Sequence, residues 1–280
     1  STANHGGGVD ENWGMQRIMW ALHPPPPLEV RCMSLHHVSF ARTSEAQVAI
    51  GRKDAVLRDD QRGLFAVSSG PPAQGNGAYA SKIFLASLAE HASVLSQNVA
   101  SLSTPRGSWR RVKAVFDGIF QMASQTIRAT YGTHSNADTS ATVLVIRDGM
   151  GVMAHVGTTR GYIIRGGRVV RVTHDHSAAA HKPVNNEGTM VALQPLRPTG
   201  QQGLGQQAPL AVDAISFKIQ PTSRLVLCSG GVAGIVAGKD LLTASLGAPS
   251  LDAMAGTIIR NATQRQIVAD ASVVIIDIAG

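Results

Sequence analysis

Hydrophobic positions along the chain change period several times, and the changes predict its elements. From Leu35 onward, short apolar runs separated by polar turns predict strands at 36–41, 46–50 and 64–67. Two long segments, 78–99 and 109–129, then carry apolar residues at helical spacing, such as Ile83, Leu85, Leu88 and Leu95, then Val112, Phe116, Ile119 and Ile127. They predict two consecutive amphipathic helices, broken at Pro105 and Gly107. Strand-like runs return at 141–146, 151–156, 161–164 and 168–172, where Asp148-Gly149 and Gly166-Gly167 supply the positive φ that tight hairpin turns need. Residues 178–208, poor in apolar side chains and rich in Gln, Gly, Pro and Asn, predict a long loop or flap. Strands at 214–219 and 224–228, one or two helices over 235–262 and a last strand at 271–278 complete the order. That order predicts an α+β fold, a two-sheet β-sandwich flanked by helices.

The run Leu64 to Val67 suits a strand covered on both faces. It stops at Ser68, Ser69 and Gly70, and Pro71 and Pro72 forbid its continuation because they lack backbone donors. Such a strand end delivers small polar residues to a strand-to-helix junction. Residues 1–34, with Gly6 to Gly8 and Pro24 to Pro27, predict an irregular Gly/Pro-rich arm or linker, and 35–280 one domain.

Composition narrows the partners. The formal charge of +7 favours acidic or phosphorylated ones, but the basic residues are scattered and no aromatic-interleaved basic motif occurs, which argues against nucleic acid. Cys32 and Cys228 are too few for a disulfide framework and wrongly spaced for zinc, which points to a cytoplasmic or other reducing compartment. No apolar run approaches the roughly 20 residues of a membrane span, so no membrane insertion is expected.

Some motifs carry more. Gly63-Leu-Phe-Ala-Val-Ser-Ser-Gly70, His155-Val-Gly-Thr-Thr-Arg-Gly-Tyr162, Thr173-His-Asp-His-Ser177, Leu227-Cys-Ser-Gly-Gly231 and Ala269-Asp-Ala-Ser-Val-Val274 occur in that order. In that order they resemble the metal-dependent serine/threonine protein phosphatases of type 2C, whose fold has α-β-β-α layers. The resemblance implies two Mg²⁺ or Mn²⁺ ions held by a ring of aspartates, because hard divalent cations need oxygen ligands carrying negative charge.

The departures set the functional expectation. Against the family pattern, Ser69 stands at the bridging aspartate, Gly230 at the aspartate of Ser-Asp-Gly, Thr158 at that of Val-Gly-Asp-Ser, and Ala269 at that of the last motif. Asp270 is a one-residue neighbour whose side chain a strand would point to the opposite face. The first motif reads Arg52-Lys53-Asp54, which keeps Asp54, and Ala49 stands where a phosphate-gripping arginine is expected. Asp54, Ser69, Gly70, Gly230 and Asp270 are thus vestigial metal-site positions, with no catalytic residue and no cofactor expected.

The expected function is that of a pseudophosphatase acting by binding, as a scaffold, regulator or phosphoprotein sensor in signalling, with a protein partner that could be phosphorylated. Arg52 and Lys53, with the amides around Ser68 to Gly70, could turn the pocket towards anions. The alternative is a weak metal-dependent Ser/Thr phosphatase in which Asp54, Asp270 and Asp175 or Asp213 hold a single ion. Arg160, Tyr162, Asp175 and His176 read as polar groups that hold the fold, since buried polar side chains near turns must be paired. His174 and His176, on the same side of an extended segment, offer a pair of imidazoles, for which a hydrogen-bonded turn is the simpler reading.

Overall fold

The computed structural model describes residues 39–44, 53–71, 76–132, 137–176, 203–206, 210–265 and 269–278. The predicted N-terminal arm, the strand at 46–50, and residues 36–38 of the first predicted strand lie outside the described residues. In chain order the strands are β1 (Ser39–Ser44), β2 (Asp54–Asp59), β3 (Leu64–Ser69), β4 (Ser140–Arg147), β5 (Met150–Val156), β6 (Arg160–Arg165), β7 (Arg168–Arg171), β8 (Asp213–Lys218), β9 (Arg224–Cys228) and β10 (Ala271–Asp277). The helices are α1 (Gly77–Glu90), α2 (Ala92–Ser101) and α3 (Trp109–Tyr131) before β4, and α4 (Gly230–Ala233), α5 (Gly238–Gly247) and α6 (Leu251–Gln264) before β10.

Among the described residues the strands form two five-stranded sheets, β1-β10-β9-β6-β7 and β2-β3-β4-β5-β8, with every pairing antiparallel. Strand alternation sorts the core into three layers. Leu64 and Ala66 of β3 join Phe84, Leu88, Phe116 and Phe120 of α1 and α3 on one outer face. Phe65 and Val67 point the other way, into a layer between the sheets shared with Leu227 of β9 and Val274 and Ile276 of β10. Val226, Val273 and Ile275 pack outward against Leu241, Met254 and Ile258 of α5 and α6. These are the α-β-β-α layers expected.

Several details correct the sequence reading. Residues 54–59, read as turn, are strand β2, paired with β3 along its whole length. The helix over 78–99 is two helices meeting at His91, where Nδ1 donates to the Ser87 carbonyl at 2.8 Å. Part of the predicted flap is core, since Leu204 is fully buried and its backbone pairs with Thr139. The hairpin turns are as expected, with positive φ at Asp148, Gly149, Gly166 and Gly167. No helix among the described residues is long and apolar enough to cross a membrane.

Candidate functional site

Strand alternation carries the inter-sheet layer to one end, where its apolar side chains give way to polar ones. On β3 the face bearing Phe65 and Val67 continues to Ser69, and β2 pairs Asp54 with Ser69 in register. On β9 the face of Leu225 and Leu227 leads to Ser229, and on β10 the face of Val274 and Ile276 leads back to Ser272. Ser69, Ser229 and Ser272 are buried, and their hydroxyls lie close enough to Asp54 to favour its carboxylate.

Gly230 borders the same space. A Cβ added there would lie 3.3 Å from Thr158 Oγ1 and 3.8 Å from Ser69 Oγ. Thr158 is held in turn by Ser140, whose Oγ accepts from the Thr158 N–H at 3.0 Å. The tight approach explains Gly157 before it: φ is +95°, and a Cβ would fall 2.1 Å from Ser140 Oγ. Behind this edge Thr139 Oγ1 lies 2.8 Å from both Ser68 Oγ and Ser81 Oγ, and Ser81 Oγ donates to the Lys53 carbonyl at 2.9 Å. The site is therefore a nest of neutral hydroxyls around one end of a sandwich.

Two carboxyl groups remain in it. Asp270 is buried just before β10, and its Oδ2 accepts from the Lys53 N–H at 2.5 Å and the Asp54 N–H at 3.4 Å. This corrects the expectation that Asp270 faces away: the strand starts only at Ala271, so strand alternation does not govern it. Gly231 fits against its backbone, where a Cβ would meet the Asp270 carbonyl at 2.1 Å. Asp54 is 8% exposed, and burial pushes its carboxyl up to about 6 against the pull of the three serines, with the charge of Asp270 adding to the rise. Its Oδ2 and Ser272 Oγ are buried atoms without a hydrogen-bond partner among the described residues.

The other predicted residues have different duties. Asp175 takes Arg160 Nη2 at 2.6 Å and Nε at 2.9 Å, and also pairs with Arg171. Arg160 also donates to the Ala233 carbonyl. His176 Nε2 meets Asp213 Oδ2 at 3.0 Å and its ring stands edge-on to His155, centroids 4.9 Å apart. His155, fully buried, lies 3.0 Å from both Thr142 Oγ1 and the Gly157 carbonyl, and desolvation lowers its pKa to about 3. His176 thus belongs to a polar cluster with His155 and Asp213, and the half-buried His174 lines a small hollow beside His155 and Asp213. Of the proposed anion pocket, the Gly70 N–H is used by the Lys53 carbonyl at 3.1 Å, and Arg52 lies outside the described residues, as does Ala49.

No protein-family model and no curated protein matches the sequence. Solved structures do match the fold. PppA, described as a key regulatory component of the T6SS in Pseudomonas aeruginosa, superposes with a TM-score of 0.68 at 17% identity, covering 86% of this chain and 96% of that one. The Mycobacterium tuberculosis serine/threonine phosphatase PstP gives 0.65 at 20% identity over 87% and 99%. The serine/threonine phosphatase of S. agalactiae gives 0.68 at 18% identity over 86% and 99%. The chain has the type 2C phosphatase fold. In this phosphatase-like domain the hydroxyl nest occupies the end of the sandwich where the motif resemblance places the aspartates.

The donor set there does not fit a pair of divalent cations. Asp54 and Asp270 supply the charge, and Asp270 Oδ2 is already held by backbone amides. Ser69 and Thr158 offer neutral oxygens and Gly230 no side chain at all, and neutral donors do not replace missing charge. Among the described residues no group of three His, Cys, Asp or Glu could hold a metal ion. Ser229 and Ser272 were not singled out from sequence, although each stands inside a quoted motif.

Proposed function

We propose that this is a catalytically inactive phosphatase-like domain that acts by binding a protein partner, as a scaffold, regulator or phosphoprotein sensor. The observation that carries the reading is the pair Ser69 and Gly230, adjoining Asp54 at the site and contributing no charge to it. Function resides in sites and not in folds, so the fold by itself argues little for phosphate-ester hydrolysis. The likeness to PppA, a regulatory component in its own system, is consistent with a role in protein interactions. Phosphorylation of the partner and a place in signalling belong to the same proposal.

One observation favours the second reading, a weak Mg²⁺- or Mn²⁺-dependent Ser/Thr phosphatase. Asp54 Oδ2 is a buried oxygen without a hydrogen-bond partner among the described residues, and a single ion would satisfy it. Thermal melts with and without millimolar Mn²⁺, followed by a p-nitrophenyl phosphate assay, separate the two, because a ligand of the native state raises the melting temperature by mass action. The binding-only reading predicts no shift and no turnover. A shift with turnover establishes the second reading instead.

A further inference from the structure

The hydroxyl nest joins the two sheets. Asp54 and Ser69 are paired at one end of β2 and β3, whereas Ser229 and Ser272 meet where β9 ends and β10 begins in the other sheet. Ser229 and Ser272 are fully buried, and Asp54 and Ser69 are each only 8% exposed. The Asp54 carboxyl lies among the three hydroxyls, yet its Oδ2 is a buried oxygen without a hydrogen-bond partner among the described residues. A buried carboxylate oxygen left in that state is costly unless a positive group meets it.

The neighbours already have other duties. Ser229 Oγ accepts from the Ser272 N–H at 2.9 Å and donates to the Asp270 carbonyl at 3.3 Å. Asp270 Oδ2 accepts from the backbone N–H groups of Lys53 and Asp54. What the nest presents is therefore one unspent carboxylate oxygen bordered by the neutral oxygens of Ser69 and Ser272. Thr158 Oγ1 closes the border, 3.3 Å from where a Cβ at Gly230 would lie, with Ser69 Oγ at 3.8 Å from the same point.

One unspent negative charge among neutral oxygens is the donor set of a monovalent cation. Mg²⁺ dehydrates reluctantly and usually keeps several waters, and side chains this buried leave those waters no room. A monovalent ion sheds its hydration far more readily. Size narrows the choice further, because Asp54 Oδ2 is all but closed to water. A bare sodium ion is smaller than a water molecule, whereas a potassium ion is about as large.

We propose that the nest holds one monovalent cation of the size of sodium, on Asp54 Oδ2 and the hydroxyl oxygens around it. Resting on the binding-only reading of that site, the ion has a structural duty: it neutralises a buried charge on one sheet and ties it to Ser272 of the other.

The test uses the full chain in N-methylglucamine chloride at constant ionic strength, with NaCl or KCl exchanged in. Raising Na⁺ from about 5 to about 200 mM near pH 7.5 should lift the melting temperature by roughly 3 °C, with a smaller lift from K⁺. Asp54→Asn, which keeps the shape and drops the charge, should abolish the lift, and the milder Ser69→Ala should reduce it. Broadening of the ²³Na NMR line by wild type, absent with Asp54→Asn, reads the ion directly. Equal melting temperatures in the three salts overturn the inference and leave the binding-only reading standing. So does a Na⁺ lift of the same size in Asp54→Asn, which marks a general salt effect. A Mn²⁺ lift accompanied by p-nitrophenyl phosphate turnover overturns both.

Discussion

Asp270 holds the backbone that presents Asp54: its Oδ2 accepts from the N–H groups of Lys53 and Asp54, at 2.5 and 3.4 Å, and its charge raises the Asp54 pKa. One aspartate therefore organises the loop end that delivers the other. Asp270→Ala strips two buried or partly buried donors of their acceptor, at an expected cost of about 2 kcal/mol in urea unfolding. Asp270→Asn keeps an accepting oxygen and should lose less than half of that.

Burial of Asp54 predicts a pH dependence of definite sign. Its carboxyl rises from 3.8 to about 6 in the fold, so the native state binds more protons than the unfolded state between those values. Its contribution to stability is fully present below about 4 and is lost as pH rises to about 6, a change on the order of 3 kcal/mol. Other carboxylates, such as Asp175, shift the opposite way. The contribution is therefore read as the difference between wild type and Asp54→Asn, which should be equally stable near pH 4, with the variant ahead at pH 7.

Gly231 is the glycine on which the carboxyl end of the site depends. A Cβ there would stand 2.1 Å from the Asp270 carbonyl, inside any tolerable contact. Gly231→Ala should cost about 2 kcal/mol and displace Asp270. In NMR spectra the amide signals of Lys53 and Asp54 should move with it.

Asp175 holds two guanidinium groups that are mostly buried. Asp175→Asn leaves both without a counter-charge, and the expected loss is about 3 kcal/mol by chemical denaturation. The same variant should leave any Mn²⁺ response unchanged, because Asp175 serves Arg160 and Arg171.

Much of this was legible in the sequence because the hairpins obey local rules. Asp148-Gly149 and Gly166-Gly167 adopt the left-handed backbone that their turns demand, and Phe65 and Val67 alternate with Leu64 and Ala66 as a doubly covered strand requires. β2 was missed because Asp54-Ala-Val-Leu-Arg-Asp begins and ends on charges. Its placement comes from pairing with β3, a long-range term that no local window contains. The same applies to the site. Ser69 and Gly230 could be read as missing charges, but the inward turn of Asp270 depends on where β10 starts, and the gathering of Ser229 and Ser272 around Asp54 depends on two sheets meeting.

Under the proposed binding-only function, Ser69 and Gly230 remove the charge a cation pair needs. Calorimetric titration of Mn²⁺ into the wild-type chain and into Ser69→Asp with Gly230→Asp tests it most directly. A side chain at Gly230 requires the Thr158 hydroxyl, 3.3 Å from an added Cβ, to give way by a few tenths of an ångström. Wild type should give no saturable heat up to millimolar Mn²⁺, and the double variant should bind saturably. Saturable binding of Mn²⁺ by wild type, with phosphatase turnover on the same sample, would contradict it.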